Sequence, residues 1–546
     1  MRNLYTVAMR RRDFIKLSST AGVAGVVGTH VDTAANPLYA QQASGFDLHP
    51  FIKAHPEAVF INITNIKEKT DQDDIRDAAH KLAREMFVST TGGAGFPNST
   101  RIAGKPNWTG GGNADRDDPS YHWGVVTDFG FTAGFLNGIR TRGPQVVNIG
   151  DCASPQRWGE NGRGALAERN NFNLKDLTSK DFWELGDDIL LKEINNGGYL
   201  RGTGYMAPLA APDTFLVNLA KFKTHSMGVT VTVKNLQGMT GRMFHRYCDI
   251  GDPVRTYEER YHRFFRTDCM ENIENLHKKH VEAGIPRWHS LAPGRAIRYN
   301  GLNMERWAQR MLDNYSVLPI GTNDIHIAEG IYGRDGDGFM IGPWEIDGRA
   351  NRAKDYMCNY IMFGRNPFNV DIIAHWLAGH EPGNFGLFHL GIERGFSKLL
   401  DPFDIQLYVW ENGQPRRVNL DTLKRYPLLT PYLPLEGEGI YHMCDEPFDY
   451  KSWKTTGKIT TIEPSIRVLG TDSKDNIVME MTVSQKGDVF VDILNRHGDL
   501  VGRLHADDLE PGNHQVVWDG FGSPGMYTTY VKGMGWDAES EMVIYT

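Results

Sequence analysis

The stretch FLVNLAKFKTHSMGVTVTVKNLQGMTG, residues 215–241, contains the signals from which the fold can be predicted. It opens with an apolar run that predicts a buried strand, entered from a turn at residues 212–214. Lys221, Lys223 and His225 follow at every second position, so an extended chain places both ammonium groups and the imidazole on the same side. The stretch therefore predicts a strand that delivers three cationic or titratable groups to one end of a sheet.

The second half of the stretch is rich in groups that bind anions. Valine and threonine alternate from residue 229 to 233, a pattern that fits a further strand, although a helix is also compatible with it. Lysine, asparagine and backbone N–H groups make strong hydrogen bonds to carboxylates and phosphates, and glycine lets the backbone approach a ligand closely. Each residue alone has a structural interpretation, but the set predicts an anion site. Its predicted catalytic residues are His225, Lys234 and Lys223, and its predicted ligand-binding residues are Lys221, Asn235 and Gly238.

Five motifs in chain order resemble those of a bacterial and archaeal family called domain of unknown function 362. The segments KFKTH and GVTVTVKNLQG, within residues 221–238, resemble the central signature of that family. The other four are RIAGKPNWT (101–109), the segment 122–151, IHIAEGIYGRDGDGFMIGP (325–343) and FGRNPFNVDIIAHWLAG (363–379). The resemblance covers about residues 55–400. It implies little about activity, because the family has none assigned.

Polar residues in these motifs follow strand-like runs. In a parallel sheet, ligands usually bind beyond the carboxyl ends of the strands. Lys105, Asp151, Lys221 and Glu329 each follow such a run, so we expect them to converge at one edge of the sheet. The further predicted ligand-binding residues are Lys105, Asn107, Thr127, Glu329 and Asp371.

Over residues 45–400, strand-like runs (58–63, 145–149, 215–219 and 325–328) are mixed with helical stretches (73–87, 255–283 and 303–314). This alternation predicts an α/β core domain with a mostly parallel sheet. Residues 401–460 are rich in proline and tyrosine and are interpreted as a connector or an embellishment of that core. Residues 462–546 contain short alternating strands separated by turn signals, which predict a small antiparallel all-β sandwich. They resemble the immunoglobulin-like domain of flagellar hook-capping proteins, which implies an accessory module with a possible protein partner.

The N-terminal 40 residues have the layout of a twin-arginine signal peptide. Arg10–Arg12 precede a mildly apolar run that is too short for a stable membrane anchor. Its removal leaves 54 Lys+Arg against 65 Asp+Glu, a formal charge of −11. We therefore expect an exported periplasmic or extracellular protein with no nucleic-acid partner and no integral membrane segment after signal removal.

No cofactor or metal can be assigned from the sequence. The five cysteines include no C-x-x-C pair, which disfavours an iron–sulfur cluster, and the histidines form no H-E-x-x-H motif. The glycine-rich stretches 108–118 and 329–342 fit ordinary surface loops. Alternatively, the first fits a lid or ligand loop, and the second, with Asp335 and Asp337 between glycines, fits a calcium-binding loop, although it lacks the EF-hand spacing. Three hypotheses follow: an exported enzyme acting on a small anionic molecule, a periplasmic protein that binds an anion without turnover, or a cell-surface interaction protein.

Overall fold

The computed structural model describes most of the chain beyond residue 43. The described residues are 44–108, 124–151, 163–175, 186–225, 228–241, 257–283, 285, 300–335, 344–346, 349–351, 354–432, 441–443, 448–456, 465–472, 476–483, 487–497, 499–519, 525–533 and 536–544. The predicted signal peptide, most of the first glycine-rich stretch and the end of the second lie outside them.

In chain order, the strands of the described residues are β1 (Gly45–Leu48), β2 (Val59–Ile63), β3 (Phe87–Thr90), β4 (Phe96–Pro97), β5 (Arg101–Pro106), β6 (Val147–Gly150), β7 (Asn173–Lys175), β8 (Ile189–Glu193), β9 (Gly202–Met206), β10 (Thr214–His225), β11 (Gly228–Thr230), β12 (Asp324–Arg334), β13 (Trp344–Ile346), β14 (Arg349–Asn351), β15 (Asp355–Gly364), β16 (Leu407–Glu411), β17 (Gln414–Arg417), β18 (Thr430–Tyr432), β19 (Tyr441–Met443), β20 (Ser465–Thr471), β21 (Ile477–Val483), β22 (Gly487–Asn495), β23 (Leu500–Leu509), β24 (Gly512–Trp518), β25 (Gly525–Gly533) and β26 (Trp536–Ile544). The α-helices are α1 (Pro50–Ala54), α2 (Gln72–Met86), α3 (Phe129–Arg140), α4 (Arg163–Arg169), α5 (Ala207–Ala210), α6 (Thr232–Leu236), α7 (Glu259–His262), α8 (Cys269–Glu282), α9 (Asn300–Tyr315), α10 (Pro367–Leu377), α11 (Gly386–Glu393) and α12 (Tyr450–Thr456).

The main sheet has the strand order β17-β16-β2-β15-β12-β10-β5-β6-β7, and β11 pairs with β10. The neighbours from β7 to β12 are all parallel, as are β2 and β16. The strands β15, β17 and β11 run antiparallel to their partners. This mixed, mostly parallel sheet with helices confirms the predicted α/β core.

The central strand β10 is buried on both faces. Phe215, Val217 and Leu219 pack into the core that also contains the apolar side chains of α2 and α3. Ala220 and Phe222 point into the opposite core, which α9 and α10 cover. A strand covered on both faces reads as a nearly continuous apolar run, which is why this stretch was recognisable in the sequence.

The close contact between α2 and α3 depends on a glycine. A Cβ atom on Gly134 would lie 2.1 Å from the carbonyl oxygen of Arg76 in α2, so a larger side chain would push the helices apart. At the start of α3, the Asp128 side chain caps the helix by accepting the N–H of Phe131 at 2.9 Å. The N-terminus of α3 thereby comes to the carboxyl ends of β5 and β10.

Two local predictions need correction. Residues 329–334 belong to β12 and are fully buried, so the predicted loop at 329–342 does not begin at Glu329. The valine and threonine alternation continues as a strand only to Thr230, after which α6 begins, so each of the two alternatives holds for one part of the segment. Beyond residue 400, β16 pairs with β2 and extends the main sheet.

The C-terminal residues form two antiparallel sheets, with the strand orders β20-β21-β24 and β23-β22-β25-β26. Their apolar side chains, among them Met479, Val491 and Trp518, form a common core built from this segment of the chain. The all-β character is thus confirmed, while the immunoglobulin-like topology stays a prediction.

Among the described residues, no helix is long and apolar enough to cross a membrane.

Candidate functional site

A buried ion pair lies at the carboxyl ends of β5 and β6. The ammonium group of Lys105 donates to Asp151 Oδ2 at 2.9 Å, Asn235 Oδ1 at 2.9 Å and the carbonyl oxygen of Pro106 at 2.8 Å. Asp151 Oδ2 also accepts the backbone N–H of Trp108 at 2.8 Å. A lysine ammonium has three donors, so protein oxygens satisfy all of those of Lys105. A direct contact between Lys105 and a ligand stays a prediction.

Asn235 connects this pair to a second buried polar chain. Its amide donates to the carbonyl oxygen of Lys105 at 2.9 Å and to Asn218 Oδ1 at 2.7 Å. The Asn218 amide in turn contacts His326 Nδ1 at 3.0 Å, and His326 Nε2 lies 3.3 Å from Asp324 Oδ2. None of these side chains is more than 5% exposed, so this series of buried hydrogen bonds holds α6 rigidly against the sheet.

Gly238 allows the turn after α6 to lie directly on the Lys105–Asp151 pair. A Cβ atom at this position would lie 2.7 Å from Lys105 Cε and 2.9 Å from Asp151 Oδ1. Both atoms belong to side chains fixed by hydrogen bonds, so they cannot move away cheaply. The sequence predicted that a ligand approaches the backbone closely at Gly238. In the structure, the side chains of Lys105 and Asp151 make this close approach.

A second buried ion pair joins β10 to β12. The Lys221 ammonium donates to Glu329 Oε2 at 2.7 Å and lies 3.4 Å from the centre of the Tyr332 ring. The Tyr332 hydroxyl donates to Asp128 Oδ2 at 2.7 Å, and the N–H of Asp128 lies 3.3 Å from Glu329 Oε2. Burial raises the pKa of Glu329, an effect that the Lys221 charge opposes and the Asp128 charge increases.

The two ion pairs lie on opposite faces of the sheet. Lys105 is the direct register partner of Asn218 in β10, whereas Glu329 is the partner of Lys221. Residues 218 and 221 are an odd number of positions apart, so their side chains point to opposite faces. The Lys105 pair therefore meets α6, and the Lys221 pair meets the start of α3.

Thr127, Asn107 and Lys223 lie beside the second pair. The Thr127 hydroxyl donates to the carbonyl oxygen of Leu219 at 2.7 Å and accepts the N–H of Asn107 at 2.8 Å. The Lys223 ammonium donates to the carbonyl oxygen of Val125 at 2.6 Å and is 1% exposed. These contacts tie the segment before α3 to the end of β10.

Asp371 holds the start of α6 from the neighbouring helix α10. Its carboxylate accepts the backbone N–H groups of Thr232 at 2.7 Å and Val233 at 3.0 Å, and also the Thr232 hydroxyl. Burial raises the pKa of Asp371 to about 7, and these three hydrogen bonds oppose the increase. The observed contacts of Asp371 are those of a helix cap.

The remaining predicted residues are Lys234 and His225. The partly buried Lys234 places its ammonium 6.0 Å from the centre of the Trp307 ring. The backbone of His225 ends β10 and pairs with Gly228, but the His225 side chain lies outside the described residues.

Several members of these networks were not predicted from the sequence. Asn218 interrupts an apolar strand, and Asp128 directly precedes an apolar helix, so both carried a detectable signal. Tyr332 carried none, because its role depends on the register between β10 and β12. Among the described residues, three potential metal ligands lie together only at Asp488, His505 and Asp507, on the C-terminal sandwich rather than at these ion pairs.

Comparison with known proteins places the chain in a family. A family model described as domain of unknown function (DUF362) matches residues 102–375, which include both buried ion pairs and α6. No curated protein gives a significant match. The match covers half of the chain and agrees with the five motifs quoted above. The chain therefore belongs to the DUF362 family.

Proposed function

We propose that this protein is an exported enzyme that acts on a small anionic molecule, a carboxylate or a phosphate. One observation carries the proposal: the pairs Lys105–Asp151, at the carboxyl ends of β5 and β6, and Lys221–Glu329, within the neighbouring strands β10 and β12, are both buried, with every side chain at most 3% exposed. Removing four charges from water costs folding free energy that apolar residues would not cost. Such clusters concentrate at functional sites, and ligands of α/β sheets bind beyond this edge.

In this proposal the two pairs form a rigid frame, and less buried groups contact the ligand. Lys234 and Asn107 are both partly buried and lie at the same edge as the frame. An ammonium and an amide that retain some exposure can exchange water for a carboxylate or phosphate oxygen. We assign proton transfer to His225, Lys223 or Lys234, because imidazole and amine groups are the usual acids and bases of such reactions.

Anion binding by the natively exported protein tests the proposal. Thermal melting should be compared with inorganic phosphate, acetate and succinate at constant ionic strength, together with mass spectrometry for a co-purified molecule. We expect at least one anion to raise the melting temperature. Lys234→Met should weaken that binding by about thirtyfold or more, because a desolvated charge loses its partner.

The matched control is Lys81→Met, which removes an exposed lysine whose ammonium lies near Asn412 and Glu85. It should bind the same anion as the parent does. Turnover of the bound anion separates an enzyme from a periplasmic binding protein. An absence of any anion effect on the parent would overturn both versions of the proposal.

A protein interaction through the C-terminal sandwich is the second candidate. Leu469 and Val517 are 45% and 46% exposed, and they lie on the face of their sheet opposite to the common core. Exposed apolar side chains on one face are typical of interaction surfaces. A parent protein that binds no anion at all would favour this candidate.

Export by the twin-arginine pathway is the localisation that we propose. The paired arginines Arg11 and Arg12 precede a weakly apolar run, as this pathway requires. Replacing both with lysine should abolish export and leave folded protein in the cytoplasm. Cell fractionation of the Arg11→Lys/Arg12→Lys variant measures this, and its normal delivery to the periplasm would contradict the assignment.

A further inference from the structure

Arg310 in α9 is a buried cation without the usual partners. It is only 1% exposed, yet its Nε and Nη2 atoms have no hydrogen-bond acceptor among the described residues. Buried charges in proteins are normally paired or bound to a ligand, because an isolated charge in a dry interior is very unfavourable. Arg310 therefore differs from the buried lysines of the two ion pairs, which both donate to carboxylates.

The unused atoms of Arg310 have a particular geometry. In the planar guanidinium, the Nε–H and one Nη–H point in the same direction and form a fork that matches two oxygen atoms of a carboxylate or phosphate. In Arg310 it is the Nε and Nη2 groups that lack acceptors. Both positions on this edge are thus available for one anionic group.

The surroundings of Arg310 connect it to the candidate site. Burial raises the pKa of the Tyr199 hydroxyl, and the nearby positive charges of Arg310 and Arg306 oppose that increase. Trp307, one helical turn before Arg310, has the ring that the Lys234 ammonium faces at 6.0 Å. The helix α9 also contacts α6 and the turn at residues 237–239. The helix that carries Arg310 therefore lies on the α6 side of the sheet.

We propose that Arg310 is the residue that anchors the anionic group of the substrate. Its Nε–H and Nη2–H donate two parallel hydrogen bonds to a carboxylate or phosphate, and Lys234 adds a second positive charge on the same side of the sheet. This inference rests on the proposed function, and it narrows the substrate class to anions with two oxygen atoms able to accept from one guanidinium edge.

The test uses the full exported chain with the probes inorganic phosphate, acetate and succinate. Arg310→Lys keeps the charge but loses the fork, and it should weaken binding at least tenfold. Arg310→Met removes the charge, so it should abolish the anion-induced rise in melting temperature. Without anion, Arg310→Met should melt at the parent temperature or above it, because a buried charge without an acceptor has been removed.

Arg266→Lys is the matched control, since Arg266 is an arginine of the same region that already pairs with Asp268. It should bind anions as the parent does. A clearly lower melting temperature of Arg310→Met without anion would show a structural role and overturn the inference, as would failure of both Arg310 variants to fold.

Two further outcomes separate this inference from the proposed function. Binding that Lys234→Met weakens but both Arg310 variants leave unchanged would overturn the inference alone. Binding that depends on Arg310 but not on Lys234 would support the anchor and overturn the site around Lys234. A parent that responds to none of the three probes would overturn both.

Discussion

Replacing Lys221 with methionine should lower the free energy of unfolding by about 3–5 kcal/mol. Lys221 and Glu329 are both fully buried and lie 2.7 Å apart, so the substitution leaves the Glu329 carboxyl group in a dry interior without its cation. Glu329 then has to become protonated or unfold its surroundings. Protonation and local unfolding each cost most of the desolvation free energy that the attraction between Lys221 and Glu329 had compensated.

The double variant Lys221→Met/Glu329→Leu should recover most of this loss. Removing both charges eliminates the desolvation cost together with the attraction, so a buried ion pair is often replaceable by apolar residues at little net cost. Denaturant unfolding of the parent, both single variants and the double variant measures the coupling as a double-mutant cycle. Lys81→Met at an exposed site should stay within about 0.5 kcal/mol of the parent. A double variant as unstable as the single one would contradict this account.

The second large effect concerns pH and a cluster of α8, α9 and α11. The ring of His280 lies between two carboxylates, with Nδ1 3.0 Å from Glu305 Oε1 and Nε2 2.7 Å from Glu393 Oε2. Both ring nitrogens can donate only when the imidazole is protonated. Lys279 also contacts Glu393, and His277 lies 3.9 Å from Glu305.

The pKa of His280 decides the pH range. Burial lowers this pKa, but the hydrogen bonds and charges of Glu305 and Glu393 raise it more strongly, to about 9 from the ordinary value of 6.5. Because the pKa of His280 is higher in the folded state than in the unfolded state, the protonated imidazole stabilises the fold. This contribution is complete below pH 6.5 and is lost as the pH rises through 9. For this residue, which is only 3% exposed, the loss should be on the order of 3 kcal/mol.

Denaturant unfolding at pH 6 and at pH 10 measures this contribution. The parent should lose stability relative to His280→Gln over this interval, since glutamine does not titrate and other groups titrate in both proteins. His497→Gln, which replaces an exposed histidine of the C-terminal sandwich, is the control and should follow the parent. Parallel pH profiles of the parent and His280→Gln would contradict the role of the imidazolium.

The carboxylate of Glu305 contributes at the acidic end of the pH scale. Its partners hold its pKa at about 2, although burial alone would raise it. Its contribution to stability is therefore present above the ordinary pKa of 4.5 and is lost as the pH falls towards 2.

Local sequence patterns located several strands and helices of the core along the chain. The predicted helical stretches 73–87 and 303–314 correspond to α2 and α9, whereas the predicted stretch 255–283 forms two separate helices, α7 and α8. The predicted runs near 58–63, 145–149 and 325–328 correspond to β2, β6 and β12. These predictions succeeded because apolar periodicity and turn residues are local properties of the chain. Lys105 and Asp151 lie at the carboxyl ends of β5 and β6 as expected, whereas Lys221 and Glu329 lie within β10 and β12, on the opposite face of the sheet.

The partners and the burial of these polar residues depend on long-range contacts. Lys105 pairs with Asp151, and Lys221 pairs with Glu329, 46 and 108 positions along the chain. Alternation showed which residues of one strand share a face, but a shift of one position in the pairing of two strands would have exchanged the faces. The register placed Lys105 against α6 and Lys221 against α3, and the packed helices then excluded water from both. Burial and partner choice depend on these long-range contacts, which the local pattern does not contain.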